Sequence, residues 1–226
     1  MEYRNELKYV CNTEELFLLE KRVSAVMKKD CNLGDKNTYN IRSIYFDNYC
    51  NSFMSDNEDG INERVKIRIR IYNRSPQIIK LEFKYKLNGY TKKIAAPITA
   101  EVCKKIIQGE RLQLEECDNE LLQMLYVYMQ SELLEPKVVV EYDRAAYINE
   151  VGNVRVTFDY NVRASLHIDR FFEENMYSVP VMDNGTHILE VKYDELLPSH
   201  IKQTLDTDNL IQTSFSKYYL SRIAVL

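Results

Sequence analysis

Five stretches of this chain alternate charged and apolar residues two apart, and their charged positions hold both acids and bases. In KIRIRIY, Lys66, Arg68 and Arg70 stand between Ile67, Ile69 and Ile71. In KLEFKYK, Lys80, Glu82, Lys84 and Lys86 stand between Leu81, Phe83 and Tyr85. RNELKYV sets Arg4, Glu6 and Lys8 on one parity; NVRVTFD sets Arg155 and Asp159 opposite Val154, Val156 and Phe158. ILEVKYD sets Glu190, Lys192 and Asp194 opposite Leu189, Val191 and Tyr193. A strand turns alternate side chains to opposite faces, so each stretch has one oily and one ionic face.

Composition removes several alternatives. The net charge of −4 argues against a general nucleic-acid binder, so any basic site is local. Five cysteines, Cys11, Cys31, Cys50, Cys103 and Cys117, are scattered without a CxxC pair, which reads as reduced thiols rather than a zinc site or a disulfide framework. His167, His187 and His200 form no ligand cluster and read as surface or packing residues. The start, MEYRNELK, has no signal-peptide core, and no apolar run reaches membrane-spanning length. The expectation is a soluble, cytoplasmic protein of one domain, residues 1–226.

Strands are predicted near 3–11, at 39–47, 63–72, 77–87 and 90–96, at 137–148 and 153–165 about Gly152, near 177–182, and in HILEVKYDE. Ser75-Pro76 and Asn88-Gly89 mark two turns. Segment 31–38, with Gly34, reads as a loop. Asn12 and Glu15 form a capping-box pattern ahead of Leu16, Leu19, Val23 and Val26, which predicts a helix to about Lys29. Further helices are expected at 99–108, 118–132 and 199–206, and a last one at 215–225 opened by Ser214. The fold class is α+β: a large antiparallel sheet, closed into a β-barrel, with helices packed outside.

One strand with a charged face is ordinarily a sheet with that face in water. Here charged faces recur on nearly every strand, helices are available to cover the oily faces, and Arg68 and Arg70 crowd one strand face. Adjacent like charges are unfavourable unless an anion bridges them. Rolling the sheet up places Lys8, Arg68, Arg70, Lys84, Arg144, Arg155, Lys192 and Lys217 around a tunnel, interrupted by Glu6, Glu82, Asp159 and Glu190. Oligophosphate suits the guanidinium forks, and the carboxylates suit Mg²⁺ or Mn²⁺.

ELKY, IRSIYFD, KIRIRIY, LEFKYK, EYDRAAY, VRVTFD, LEVKYDELLP and SFSKYYLS occur in this order. The series resembles the triphosphate tunnel metalloenzyme superfamily, and most of all its polyphosphate-polymerase branch, the catalytic domain of vacuolar transporter chaperone (VTC) proteins. The resemblance implies a closed antiparallel eight-stranded β-barrel. It implies phosphate contacts from Lys8, Arg68, Arg70, Lys84, Arg144, Arg155 and Lys217, with Lys192 in the same basic lining. A further contact comes from Lys92 or Lys93; parity favours Lys92, since Tyr90 and Ile94 share its face. Tyr142 and Ser216 are candidate donors. The resemblance implies Glu190 as the main metal ligand, with Glu6, Glu82 and Asp159 as secondary ligands or partners that orient the bases.

The cyclase and thiamine-triphosphatase branch opens with ExExK, whereas this chain has Arg4 at the first acidic position. That departure favours the polymerase-like branch, although the regulatory SPX domain and membrane segments of the eukaryotic complexes are absent from this sequence. The implied activity is metal-dependent transfer of the γ-phosphate of ATP onto inorganic polyphosphate. The alternatives are hydrolysis of tripolyphosphate or a nucleoside triphosphate, and polyphosphate binding without turnover. No nucleic-acid partner is expected.

Overall fold

The computed structural model describes residues 4–33, 37–88, 90–207 and 210–226, with the Asn57 side chain set aside. Gly34 and Gly89, each predicted in a loop or turn, lie outside the described residues. In chain order the elements are β1 (Asn5–Asn12), α1 (Thr13–Val26), β2 (Lys28–Lys29), β3 (Tyr39–Asp47), α2 (Ser52–Glu58), β4 (Arg64–Tyr72), β5 (Ser75–Leu87) and β6 (Tyr90–Pro97). There follow α3 (Ala100–Ile107), α4 (Glu120–Ser131), β7 (Glu135–Asn149), β8 (Val154–Ser165), β9 (Val179–Pro180), β10 (Thr186–Tyr193), α5 (Ser199–Leu205), β11 (Ile211–Gln212) and α6 (Lys217–Val225). No described helix is long and apolar enough to cross a membrane.

The hydrogen-bonded order is β11-β1-β10-β8-β7-β3-β4-β5-β6, with β2 on β7 and β9 on β8. The fold is α+β, as expected. The closed eight-stranded barrel is not observed: the order ends at β11 on one side and β6 on the other. A barrel needs its last strand bonded to its first, whereas β1 takes the two-residue β11 on its other edge. Among the described residues the sheet has eleven strands rather than the expected eight, and eight of them run eight residues or longer.

The chain divides into two compact units. The first comprises Met1–Asn40, Tyr142–Val162 and Met182–Phe215; the second comprises Ile41–Glu141, Arg163–Val181 and Ser216–Leu226. In the first unit, Leu16, Leu19 and Val23 recur at helical spacing and bury against Tyr9, Cys11, Val156, Phe158, Leu189 and Val191, the oily parity of the strands. Ile201 and Leu205 of α5 join the same core. The capping box forms: Glu15 N–H donates to Asn12 Oδ1 at 2.9 Å, and Asn12 N–H donates to Glu15 Oε2 at 2.9 Å. Helix α1 stops at Val26, three residues short of expectation, because Lys28 and Lys29 pair with Ile148 and Tyr147 of β7. The β7–β8 connection turns at Gly152, whose φ of 73° and 2.6 Å approach of the Leu196 carbonyl oxygen to a built Cβ leave no room for a side chain.

In the second unit, β4, β5 and β6 form a meander. Its oily parity, Ile67, Ile69, Ile71, Leu81 and Phe83, is fully buried, and α3 and α4 pack on β5. The β4–β5 turn falls at Asn73-Arg74, with φ of 51° and 57°, rather than at Ser75-Pro76. Proline cannot take positive φ, so Pro76 enters the start of β5 instead. Asn88 has φ 49°, as a hairpin turn of the Asn-Gly kind requires. Helix α6 is capped by Ser216, whose Oγ accepts from Tyr219 N–H at 3.2 Å, so its start lies two residues beyond the predicted Ser214. The helix is anchored by buried Asp47, which accepts the Tyr218 hydroxyl and the amides of Asn48, Phe53 and Met54.

Asn12→Ala removes the side-chain acceptor of the capping box, leaving only the residue-12 N–H to Glu15, at a site remote from the charged stripes. It is expected to lower unfolding stability by about 1 kcal/mol, read by urea titration, with the same activity per folded molecule.

Candidate functional site

The first unit's ionic face is built by cross-strand register. β1, β10 and β8 align Glu6, Lys192 and Arg155 in one row and Lys8, Glu190 and Thr157 in the next. Directly opposed side chains share a face, so acids and bases alternate in both directions. Lys8 Nζ lies 3.0 Å from Glu6 Oε1 and 3.9 Å from Glu190 Oε2. Lys192 Nζ lies 2.7 Å from Glu190 Oε1 and 4.0 Å from Glu6 Oε2. Lys8 also donates to the Phe215 carbonyl at 2.9 Å. Two ammonium groups and two carboxylates thus form a closed ionic square.

Arg144 and Asp159 complete this face. Arg144 donates from Nε and Nη2 to the two Asp159 oxygens at 2.6 and 2.7 Å, and its guanidinium lies 5.2 Å from the Tyr142 ring centre. Burial disfavours the arginine's charge, but the Asp159 carboxylate beside it outweighs burial and holds its pKa well above the ordinary value. Arg155 pairs with Asp30 at 2.6 Å and donates to the Tyr39 hydroxyl at 3.2 Å. Asp30 is itself fixed by Asn32, whose amide and side chain both donate to Oδ1. Four bases (Lys8, Arg144, Arg155, Lys192) meet four acids (Glu6, Asp30, Asp159, Glu190).

The second unit's face is unbalanced. Glu82 is the sole acid in the sequences of β4, β5 and β6. It is 1% exposed and receives Arg68 through Nε at 2.7 Å and Nη2 at 2.6 Å, Lys93 at 3.1 Å, and Arg70 Nη1 at 3.9 Å. Burial alone would raise the Glu82 pKa; Arg68, Arg70 and Lys93 together overcome it and hold the carboxyl far below its ordinary 4.5. Arg68 also donates to the Tyr45 hydroxyl at 2.8 Å, and the Tyr45 ring stacks on Tyr218 at 5.3 Å. Arg70 donates to Ser43 Oγ at 3.2 Å.

Register decides the lysine that sequence parity left open. Lys93 stands opposite Lys84 on the ionic face, whereas Lys92 stands opposite Tyr85 on the other. The parity argument favoured Lys92; the pairing of Ile94 with buried Phe83 places the oily parity of β6 on Lys92's side instead. At the start of α6, Lys66 Nζ donates to the capping Ser216 Oγ at 2.8 Å, and Lys217 is the first helical residue. Oriented amides and the helix dipole at such a terminus favour an anion.

Sequence reading missed Asp30, Tyr39, Ser43, Tyr45 and Thr157. Thr157 lay in sight, between Arg155 and Asp159 on the same parity; the others sit in segments without a mixed-charge alternation. Arg42, in the IRSIYFD string, takes the opposite face from Ser43 and pairs with Glu141, together with Arg74. A cavity of about 470 Å³ lined by Arg74, Glu141, Arg163 and Ser178 lies there. Within it Arg74 donates to Glu141 and Arg163 donates to the Ser178 hydroxyl.

Among the described residues no three His, Cys, Asp or Glu side chains cluster as a metal cage. Glu6 and Glu190 nevertheless offer two carboxylates on adjacent strands, and the Thr157 hydroxyl opposite Glu190 is buried with no hydrogen-bond partner. An oxygen-only set with few protein ligands fits Mg²⁺ or Mn²⁺, which complete their shell with water and substrate phosphate. Glu82 is ion-paired with Arg68, Arg70 and Lys93, and Asp159 with Arg144.

The VTC domain family model matches residues 3–226, and the chain belongs to that family. No curated protein matches. Among solved structures, a candidate adenylate cyclase from Bacillus halodurans aligns with TM-score 0.54 at 14% identity, over 95% of this chain and 94% of that one. It shares the fold. A Pyrococcus horikoshii protein aligns with TM-score 0.48 at 15% identity, over 96% and 97% of the two chains.

Glu82→Gln leaves Arg68, Arg70 and Lys93 facing one another without a carboxylate. At neutral pH the unliganded variant is expected to lose about 3–5 kcal/mol of stability, and tripolyphosphate is expected to restore much of it. Because the folded pKa of Glu82 is depressed, its contribution is complete above about pH 4.5 and declines as pH falls towards the folded value. Melting curves of both proteins should therefore converge below pH 4.5.

Proposed function

We propose that this VTC-domain chain is a metal-dependent polyphosphate polymerase that moves the γ-phosphate of ATP onto a growing inorganic polyphosphate chain. The observation that carries the reading is the charge excess of the β4–β6 face. Arg64, Lys66, Arg68, Arg70, Lys80, Lys84, Lys86 and Lys93 share one parity with a single acid, Glu82. A linear polyanion is the ligand class whose charge such a face matches.

In the transfer, a terminal oxygen of the acceptor chain attacks the γ-phosphorus. The bond from that phosphorus to the β–γ bridging oxygen breaks, and ADP leaves. The acceptor oxygen is already largely ionised near neutral pH, so no histidine base is needed, and phosphoryl transfer depends mainly on alignment and charge stabilisation. Arg68 and Arg70 are assigned to equatorial phosphate oxygens, with Glu82, Tyr45 and Ser43 fixing their forks. Arg144, fixed by Asp159 and laid on Tyr142, and Arg155, fixed by Asp30, are assigned to phosphate binding on the first unit's own face. Lys84, Lys93, Ser216 and Lys217 contact the chain or the nucleotide phosphates.

Glu190 and Glu6 would hold the Mn²⁺ or Mg²⁺, which when bound supplies charge neutralisation between donor phosphates. Lys8 and Lys192 would exchange their carboxylate partners for phosphate, which frees Glu6 and Glu190 as substrate arrives. The ExExK departure supports the polymerase over a two-metal hydrolase: Arg4 pairs with Asp194 at 2.8 Å and adds no third carboxylate. Hydrolysis of tripolyphosphate or a nucleoside triphosphate is the second reading, since the same residues serve with water as acceptor. A binding module without turnover is the third.

Purified protein incubated with ATP and Mn²⁺ is expected to form a polyphosphate ladder on a gel, and Glu190→Ala to abolish it without unfolding the chain. Phosphate release without a ladder supports the hydrolase and defeats the polymerase. Tight polyphosphate binding with neither product supports the binding module.

A further inference from the structure

Two strings of the sequence, IRSIYFD and SFSKYYLS, meet at one buried point. Tyr45 and Asp47 end β3, and Tyr218 follows Ser216 and Lys217 in the first turn of α6. The buried Tyr218 hydroxyl donates to fully buried Asp47 and accepts from Arg222 Nη1 at 3.2 Å. Arg222, also buried, donates to Asn51 Oδ1 at 2.9 Å. One phenol oxygen thus bridges a buried carboxylate and a buried guanidinium. Burial and the Asp47 carboxylate hold the Tyr218 pKa well above its ordinary 10, so the hydroxyl stays a donor.

An apolar side chain would anchor α6 without the cost of burying polar groups. A satisfied buried network does something more: it specifies one orientation. The face of the Tyr218 ring shows what that orientation serves. It stacks on the Tyr45 ring, with centres 5.3 Å apart and 25° between planes. Tyr45 stands directly opposite Arg68 in the β3–β4 ladder, and its hydroxyl accepts from Arg68 Nη1 at 2.8 Å. Glu82 takes Nε and Nη2 of the same guanidinium. Glu82 therefore fixes one edge of the Arg68 fork and Tyr45 steadies the other.

We infer that Tyr218 is a positioning residue: tied to Asp47, it fixes Tyr45 and, through Tyr45, the aim of the Arg68 guanidinium. The inference rests on the reading that Arg68 binds phosphate, and adds that a helix residue acting through an intervening ring sets how well it does so. Planar guanidinium–phosphate bonding depends on the angle at which the fork is held.

The test is a double-mutant cycle on tripolyphosphate affinity, read by calorimetric titration of the full chain for wild type, Tyr218→Phe, Arg68→Gln and the two combined. Tyr218→Phe keeps the ring and leaves Asp47 the amides of Asn48, Phe53 and Met54. Arg68→Gln leaves Glu82 paired with Arg70 and Lys93. If melting shows Tyr218→Phe unfolded, Asp47→Asn, which keeps the shape and an oxygen acceptor, takes its place in the cycle. Tyr218→Phe is expected to weaken binding about tenfold. Added to Arg68→Gln, it is expected to cost no more than about twofold further. Losses that add in full, or no loss from Tyr218→Phe, make Tyr218 an anchor of α6 alone and overturn the inference while leaving phosphate binding intact. Wild-type protein that binds no tripolyphosphate overturns the phosphate reading and the inference with it.

Discussion

One buried carboxylate, Glu82, holds Arg68, Arg70 and Lys93 together on a strand face that has no other acid. Its geometry determines where the two guanidinium forks point, because arginine's planar donors follow the oxygens they bond. One buried carboxylate is shared among three bases, an arrangement that is costly to desolvate. Everything else in the second unit supports that arrangement. Ile67, Ile69, Leu81 and Phe83 bury the reverse side, Tyr45 steadies Arg68, and the Tyr218–Asp47 bond ties down the helix whose first turn carries Ser216 and Lys217.

The first unit solves a different electrostatic problem. Its face is matched acid for base, so it can stay folded without a ligand, and its carboxylates can change partners at little net cost. Lys8 and Lys192 each touch both Glu6 and Glu190, which makes the square a set of exchangeable contacts rather than two isolated ion pairs. By contrast, Arg144–Asp159 is bidentate and buried and has the character of a fixed strut. A balanced face beside carboxylates suits a cation and an anion arriving together. An unbalanced one suits an anion alone.

Much of this was legible in the primary structure because strand alternation has a period of two and charges mark it plainly. The stripes around Lys8, Arg68, Lys84, Arg155 and Glu190 fall on strands, and Asn12 caps α1 as its spacing with Glu15 implied. What failed was decided by register and backbone conformation, which a single strand's pattern does not carry. Lys93 rather than Lys92 shares the face of Lys84 because of how β6 pairs with β5. The β4–β5 turn moved to Asn73-Arg74 because positive φ excludes proline. Closure was inferred from charge and a family resemblance, but strand order depends on which edges meet. Asp30 escaped because a lone acid after two lysines has no periodic signal; only the fold brings it to Arg155.

The central claim is that the β4–β6 face carries more bases than acids and that a string of phosphates is the ligand it is built for. Thermal melting of the full chain with tripolyphosphate, against sodium chloride at matched ionic strength, tests this most directly. At a hundredfold excess over the dissociation constant the account expects about 2.7 kcal/mol of stabilisation and a rise on the order of 5–10 °C. A melting temperature equal to that in salt, across millimolar tripolyphosphate, would contradict it.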